Sequence, residues 1–115
     1  MSAFFQDLDA HGVADKVLLA TWSEFGRRPK ENASGGTDHG AASPVLVMGS
    51  PVAGGLFGAA PSLSQLDDTG NLKYTVDFRS VYQEILTSHL GADAKEVLGD
   101  VFERVPFVKS PVPVA

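Results

Sequence analysis

Three of the acidic and histidine side chains in the first forty residues are candidates to hold a metal or move a proton: Glu24, Asp38 and His39. Asp38 and His39 are adjacent within Gly35-Gly36-Thr37-Asp38-His39-Gly40, and Glu24 follows the apolar run Val17 to Trp22 by two residues. Carboxylate and imidazole together suit zinc, manganese and similar divalent ions. In open α/β sheets, ligands and catalytic groups gather at the carboxyl ends of the strands, which is where Glu24 falls if the run is a strand. The loop between can fold back and bring Asp38 and His39 near it. Each residue also has a plainer reading. A glutamate close to Arg27 and Arg28 is most often a solvated surface carboxylate. An Asp-His pair between glycines is often an Asx turn, and neighbours in an extended chain point to opposite sides.

Other chemistries find less support. The chain has no cysteine, so disulfides, thiolate metal sites and cysteine nucleophiles are excluded. Ser34-Gly35-Gly36-Thr37 can present backbone N–H groups to an anion, yet neither phosphate-binding glycine motif is present. His11 and His89 are better explained as helix-end residues interacting with the helix dipole. Asp77 and Arg79 can pair, although capping alone accounts for Asp77. Nine Lys and Arg against fourteen Asp and Glu leave a net charge of -5 with no basic stripe, which argues against nucleic acid as a partner. The N-terminus lacks a basic start and apolar stretch, the pair Arg27-Arg28 is internal and followed by polar residues, and no apolar run reaches the about 20 residues of a membrane span. The sequence as it stands therefore reads as soluble, without an export signal and without a membrane span.

The elements that must position these residues form an α/β pattern. A helix is expected over about residues 3 to 11, capped by Ser2 and ended by Gly12, with Phe4, Phe5 and Leu8 on one face. Val17 to Trp22 and Val45 to Met48 are continuously apolar, as in strands of a parallel sheet covered on both faces. Residues 23 to 43 between them form a long polar, Gly-rich loop. A further loop follows, with a short hairpin near Leu72 to Val76. The strongest helix carries Phe78, Val81, Tyr82, Ile85, Leu86 and Leu90, capped by Asp77 and ended by Gly91. Asp93 and Glu96 resemble a capping box for a last short helix stopped by Gly99. Three prolines in the last ten residues make 101 to 115 an extended or frayed tail. Two buried-type strands, two or three helices and long loops are too few for a covered parallel sheet. The expectation is an end piece of a larger domain, residues 1 to 100, whose sheet is completed by a missing N-terminal portion or by another chain.

The blocks LLATWSEFGRR, GGTDHGAASPVLVMG, GGLFG and LKYTVDFRSVYQEIL, in this order, resemble the C-terminal part of exported sulfatase-like proteins, a domain-of-unknown-function family within the alkaline phosphatase superfamily. The resemblance covers about residues 3 to 100. It implies a partial alkaline-phosphatase or sulfatase-like fold, a C-terminal fragment of a metal-dependent hydrolase of phosphate or sulfate esters, and a bound divalent ion such as zinc, manganese or calcium. It also implies export to the periplasm for the relatives. In that superfamily one strand ends in an Asp-His pair of metal ligands and a further His precedes the next strand. Chain order places Glu24 on the Asp and Phe25 on the first His, with His39 as the later His. A competing alignment sets Asp38-His39 on the Asp-His pair, and both keep His39. The metal ligands implied are thus Glu24, Asp38 and His39. Phe25 cannot ligate a metal. The superfamily nucleophile and an early Asp ligand come from an N-terminal part, so the chain is expected to be inactive alone. The alternative is a non-catalytic fragment or interaction module that keeps only the family fold.

Overall fold

The computed structural model describes residues 1 to 115, all of the chain. It contains three helices, four short strands paired as two two-stranded antiparallel sheets, and long loops. The chain divides into two compact units. One comprises residues 1–20, 47–57 and 77–115, the other residues 21–46 and 58–76.

In the first unit, α1 (Ser2–Ala10) begins as expected, but its N-cap is Met1 and no side chain bonds to its first turn, so Ser2 lies inside the helix rather than capping it. His11 closes α1: its amide donates to the Asp7 carbonyl at 3.0 Å, and its ring Nδ1 lies 2.8 Å from the same oxygen. The strands β1 (Leu19–Ala20) and β4 (Val47–Met48) pair with each other, Leu19 opposite Met48 and Ala20 opposite Val47. This corrects the expectation of strands of a parallel sheet, covered on both faces, over Val17 to Trp22 and Val45 to Met48. The pairing is antiparallel and two residues deep, with Ala20 exposed. An unbroken apolar run does not distinguish a covered parallel strand from a short antiparallel one, because the alternation that reveals orientation is missing from both.

α2 (Phe78–Glu84) runs into a π-helical turn, Ile85–His89, closed by the Leu90 amide on the Ile85 carbonyl at 3.0 Å. Asp77 caps it as the sequence suggested. Its carboxylate accepts from the Arg79 amide at 2.9 Å and from the Arg79 guanidinium at 3.0 and 2.7 Å, and these bonds hold its carboxyl below the ordinary aspartate value. α3 (Ala94–Leu98) is capped by Asp93, which accepts from Lys95 and Glu96 amides. Gly12, Gly91 and Gly99, the three expected stops, all have φ between 65 and 80°.

The tail is extended but not frayed. Phe107 and Val108 are buried, and together with Ala94 they are the only buried apolar residues in the protein. Val108 meets a helix whose buried residues are polar: Ser80, Glu84 and Ser88, spaced four apart, in α2 and its π turn. Glu84 accepts from the Val108 amide at 3.4 Å and faces Arg104 at 3.5 Å. Gln83 makes two 2.7 Å bonds to the Phe102 backbone. Further along, the Val112 and Ala115 amides donate to the Ser88 and Gly91 carbonyls, each at 2.9 Å. The tail also pairs with residues 51–53 through a Val52–Val108 bridge, and Phe107 meets Phe57 edge-on. The apolar face of α2 points outward instead. Phe78 and Leu90 are exposed, and Tyr82, Ile85, Leu86, Val97 and Leu98 line an open cleft of about 270 Å3.

A docked tail and a frayed one differ in what Phe107→Ala does. The substitution is expected to cost about 3 kcal/mol, the low end for a buried phenylalanine, measured by urea unfolding of the unit that holds α2. A loss below roughly 0.5 kcal/mol, as at an ordinary surface site, would show that the tail does not pack.

Candidate functional site

The three sequence-predicted ligands all fall in the second unit, and the segment expected to be a structureless loop is in fact a β-hairpin. β2 (Gly26–Glu31) pairs antiparallel with β3 (Thr37–Gly40). Gly26 faces Gly40, Arg27 faces His39 and Glu31 faces Thr37, with extra residues bulged out of β2 between Arg27 and Glu31. Pro29 lies in that bulge, where its missing N–H costs no ladder bond. The turn is organised by Asn32. Its Oδ1 accepts from the Ser34 and Gly36 amides, each at 3.0 Å, and the Asn32 and Gly36 backbones bond at 2.8 Å. The Gly-rich N–H groups that the sequence offered to an anion are thus partly taken up by an internal side chain.

Two glycines close the other end of the hairpin. A Cβ on Gly26 would overlap the Ala42 carbonyl, and one on Gly40 would come within 2.8 and 2.9 Å of the Arg27 and Arg28 backbone. Both positions are fixed by backbone approach, so they set the Arg27–His39 register beside them.

On this hairpin the imidazole of His39 lies flat against the ring of Phe25, with centroids 3.5 Å apart and planes 14° from parallel. The Arg27 guanidinium stands 5.2 Å from the Phe25 centroid, within cation–π range, and donates to the Thr37 carbonyl at 2.7 Å. The Ser23 hydroxyl donates to the Phe25 carbonyl at 2.7 Å. Neither His39 nitrogen forms a hydrogen bond, so the ring is covered on a face and open at its edge. Asp38, its neighbour on β3, alternates to the other side of the strand and accepts from Asn32 Nδ2 at 3.1 Å. Glu24 is exposed and pairs with neither Arg27 nor Arg28.

No three His, Asp or Glu side chains come close enough together to hold a metal ion. A tetrahedral site takes four ligands, three of them from the protein when catalytic. Glu24, Asp38 and His39 therefore do not make a complete site within this chain, and His39 is the donor whose nitrogens are both open. Phe25 and Arg27 are the neighbours that sequence reasoning did not join to His39. Their proximity follows from the Arg27–His39 pairing, which becomes visible only once residues 26–40 are read as a hairpin.

The hairpin is tied to loop 67–71 by Arg28, whose Nε donates to Asn71 Oδ1 at 3.2 Å. Asp67 organises that loop. It accepts from Asn71 Nδ2, from the Asn71 and Thr69 amides and from the Thr69 hydroxyl at 2.8–3.0 Å. The expected hairpin over Leu72 to Val76 is absent: the Asp-Asp-Thr-Gly signal makes a closed turn, with Asp67 and Asn71 joined backbone to backbone at 3.0 Å, and no strand follows it.

The chain matches the family model described as a protein of unknown function, DUF1501, over residues 1–105. It belongs to that family. No curated protein and no solved structure matches it. Within this DUF1501 chain no helix is long and apolar enough to cross a membrane.

The Asp67 turn carries a pH signature. The bonds from Asn71, chiefly its side-chain amide, hold the Asp67 carboxyl far below the usual aspartate range. A carboxyl depressed on folding contributes stability that is complete above its unfolded value of about 3.9 and is lost as pH falls through the folded value. The Asp67 side-chain carbon resonance is therefore expected to remain that of a carboxylate at pH 3. An Asp67 midpoint near 3.9 would show that the turn does not hold the charge.

Proposed function

We propose that this chain is a portion of a sulfatase-like hydrolase of the alkaline phosphatase superfamily, one that cleaves phosphate or sulfate esters with the help of a divalent ion. His39 is its clearest ligand, with Glu24 as the accompanying carboxylate; Asp38, on the other side of β3, would have to leave Asn32 to serve instead. The ion, when bound, would polarise the ester oxygens and stabilise the attacking group. The observation that carries this reading is the His39 ring: a stacked face and two unbonded nitrogens leave its in-plane lone pair available, and ligation occurs in that plane. Membership of DUF1501 supports the lineage.

The remaining ligands and the nucleophile come, in this proposal, from a further N-terminal portion or from another chain, which also completes the sheet. The two-residue β1–β4 pairing and the outward apolar face of α2 favour such a cover. The same exposed face is the specific observation behind a second reading, a non-catalytic interaction module that binds through α2 and α3.

Zinc and manganese titration of the 115-residue chain separates them. The hydrolase reading expects weak binding, with half-saturation above roughly 10 μM because a lone imidazole and carboxylate fall short of four ligands. It also expects no turnover of p-nitrophenyl phosphate or sulfate, and loss of the binding in His39→Ala with helix content unchanged by circular dichroism. Binding that survives His39→Ala removes His39 from the site. A complete lack of zinc or manganese binding by the wild-type chain favours the interaction module.

A further inference from the structure

We propose that Phe25 is the positioning residue of His39: its ring fixes the imidazole in one orientation, with both nitrogens presented at an open edge. The inference rests on the hydrolase reading for its purpose, but the geometry stands by itself. His39 is exposed and sits on a short strand, so its side chain would otherwise turn among staggered rotamers in water. Histidines that bind metals are ordinarily held by a hydrogen bond from the second ring nitrogen to a carboxylate or carbonyl. His39 has no such bond, and the nearest candidate in sequence, Asp38, is engaged by Asn32 on the other side of β3. The 3.5 Å, 14° stack on Phe25 is the contact that replaces it.

The ring of Phe25 is itself located by short-range structure. Ser23 Oγ holds its carbonyl, the Arg27 guanidinium lies 5.2 Å from its centroid, and Arg27 is anchored to the Thr37 carbonyl across the hairpin. Gly26 and Gly40 allow the backbone approach that brings Arg27 opposite His39. Face contact differs chemically from the usual hydrogen bond in one respect: it occupies neither nitrogen. Either one could ligate while the other, which then carries the ring proton, donates a hydrogen bond, an arrangement suited to a residue that finds its remaining partners on another segment.

The test uses the full chain and its Phe25→Tyr, Phe25→Trp and Phe25→Leu variants, read by NMR at the His39 ring and titrated with zinc. In the wild type and Phe25→Tyr, the His39 ring protons are expected upfield of those of His11 and His89, with a single χ1 rotamer. In Phe25→Leu they are expected to return downfield with averaged χ1, and the zinc concentration for half-saturation at His39 to rise about three- to tenfold, the equivalent of one aromatic pair. Unmoved ring protons in Phe25→Leu overturn the stack. A lost stack with unchanged zinc half-saturation overturns the positioning role. Zinc that leaves His39 unmoved in every chain removes the metal reading instead. The positioning role is then decided by χ1, supported if averaging appears only in Phe25→Leu and overturned if the wild type already averages. Should Phe25→Leu lose the β2 and β3 amide pattern, Phe25→Trp decides: its larger ring is expected to move His39 further upfield, and no further move overturns the proposal.

Discussion

Backbone hydrogen bonds in a small domain are normally shielded by a shell of apolar side chains, and this protein buries three, Ala94, Phe107 and Val108. The rest of the structure depends on how that shortage is met. Where packing is thin, polar side chains take over the placing of the backbone: Asp77 and Asp93 at helix starts, Asn32 and Asp67 in turns, Gln83 and Glu84 along the tail. Such bonds are directional, so they specify geometry well. They contribute only about 1 kcal/mol each in net terms, so they do not replace a core.

The first unit shows this constraint most sharply. An amphipathic helix should bury its apolar stripe. Here α2 and its π turn bury Ser80, Glu84 and Ser88, with Glu84 binding the tail, while Phe78 and Leu90 are exposed. The extended tail runs close to the helix, its Val108 amide donating to Glu84 and its Val112 amide to the Ser88 carbonyl. At Gly91 the approach is so close that a Cβ would stand 2.8 Å from the Pro113 carbonyl. The π turn ends the helix with the Ser88 and Gly91 carbonyls free to accept from Val112 and Ala115. Tail and helix are thus matched to each other, and the apolar stripe is left facing out.

The helical elements were legible from sequence because their signals are local. Asp77, Asp93, Gly91 and Gly99 act within one turn of their own position, and each does what its residue type suggests. Strand pairing is not local, and the composition of one segment does not reveal its partner. Val17 to Trp22 is apolar for reasons that do not encode orientation, and only Leu19 and Ala20 pair. Residues 26–31, GRRPKE, lack both alternation and β-branched residues, so nothing in their composition announces β2. What makes them a strand is the Asn32-centred turn and the mutual fit of Gly26 and Gly40, a relation between residues fourteen apart.

The same distinction governs the site. The sequence singled out Glu24, Asp38 and His39 by type, since types are what a sequence displays. Strand alternation then separates Asp38 from His39, and the hairpin register sets Arg27 against the imidazole. Of the two residues following Ser23, the phenylalanine is the one in contact with His39, although it has no ligating atom. A constellation built around His39 is therefore defined by face contacts as much as by donors. Under the proposed function, an imidazole oriented through its face would keep its coordination edge free, and the hairpin would offer a ligand in advance of the groups that complete the site.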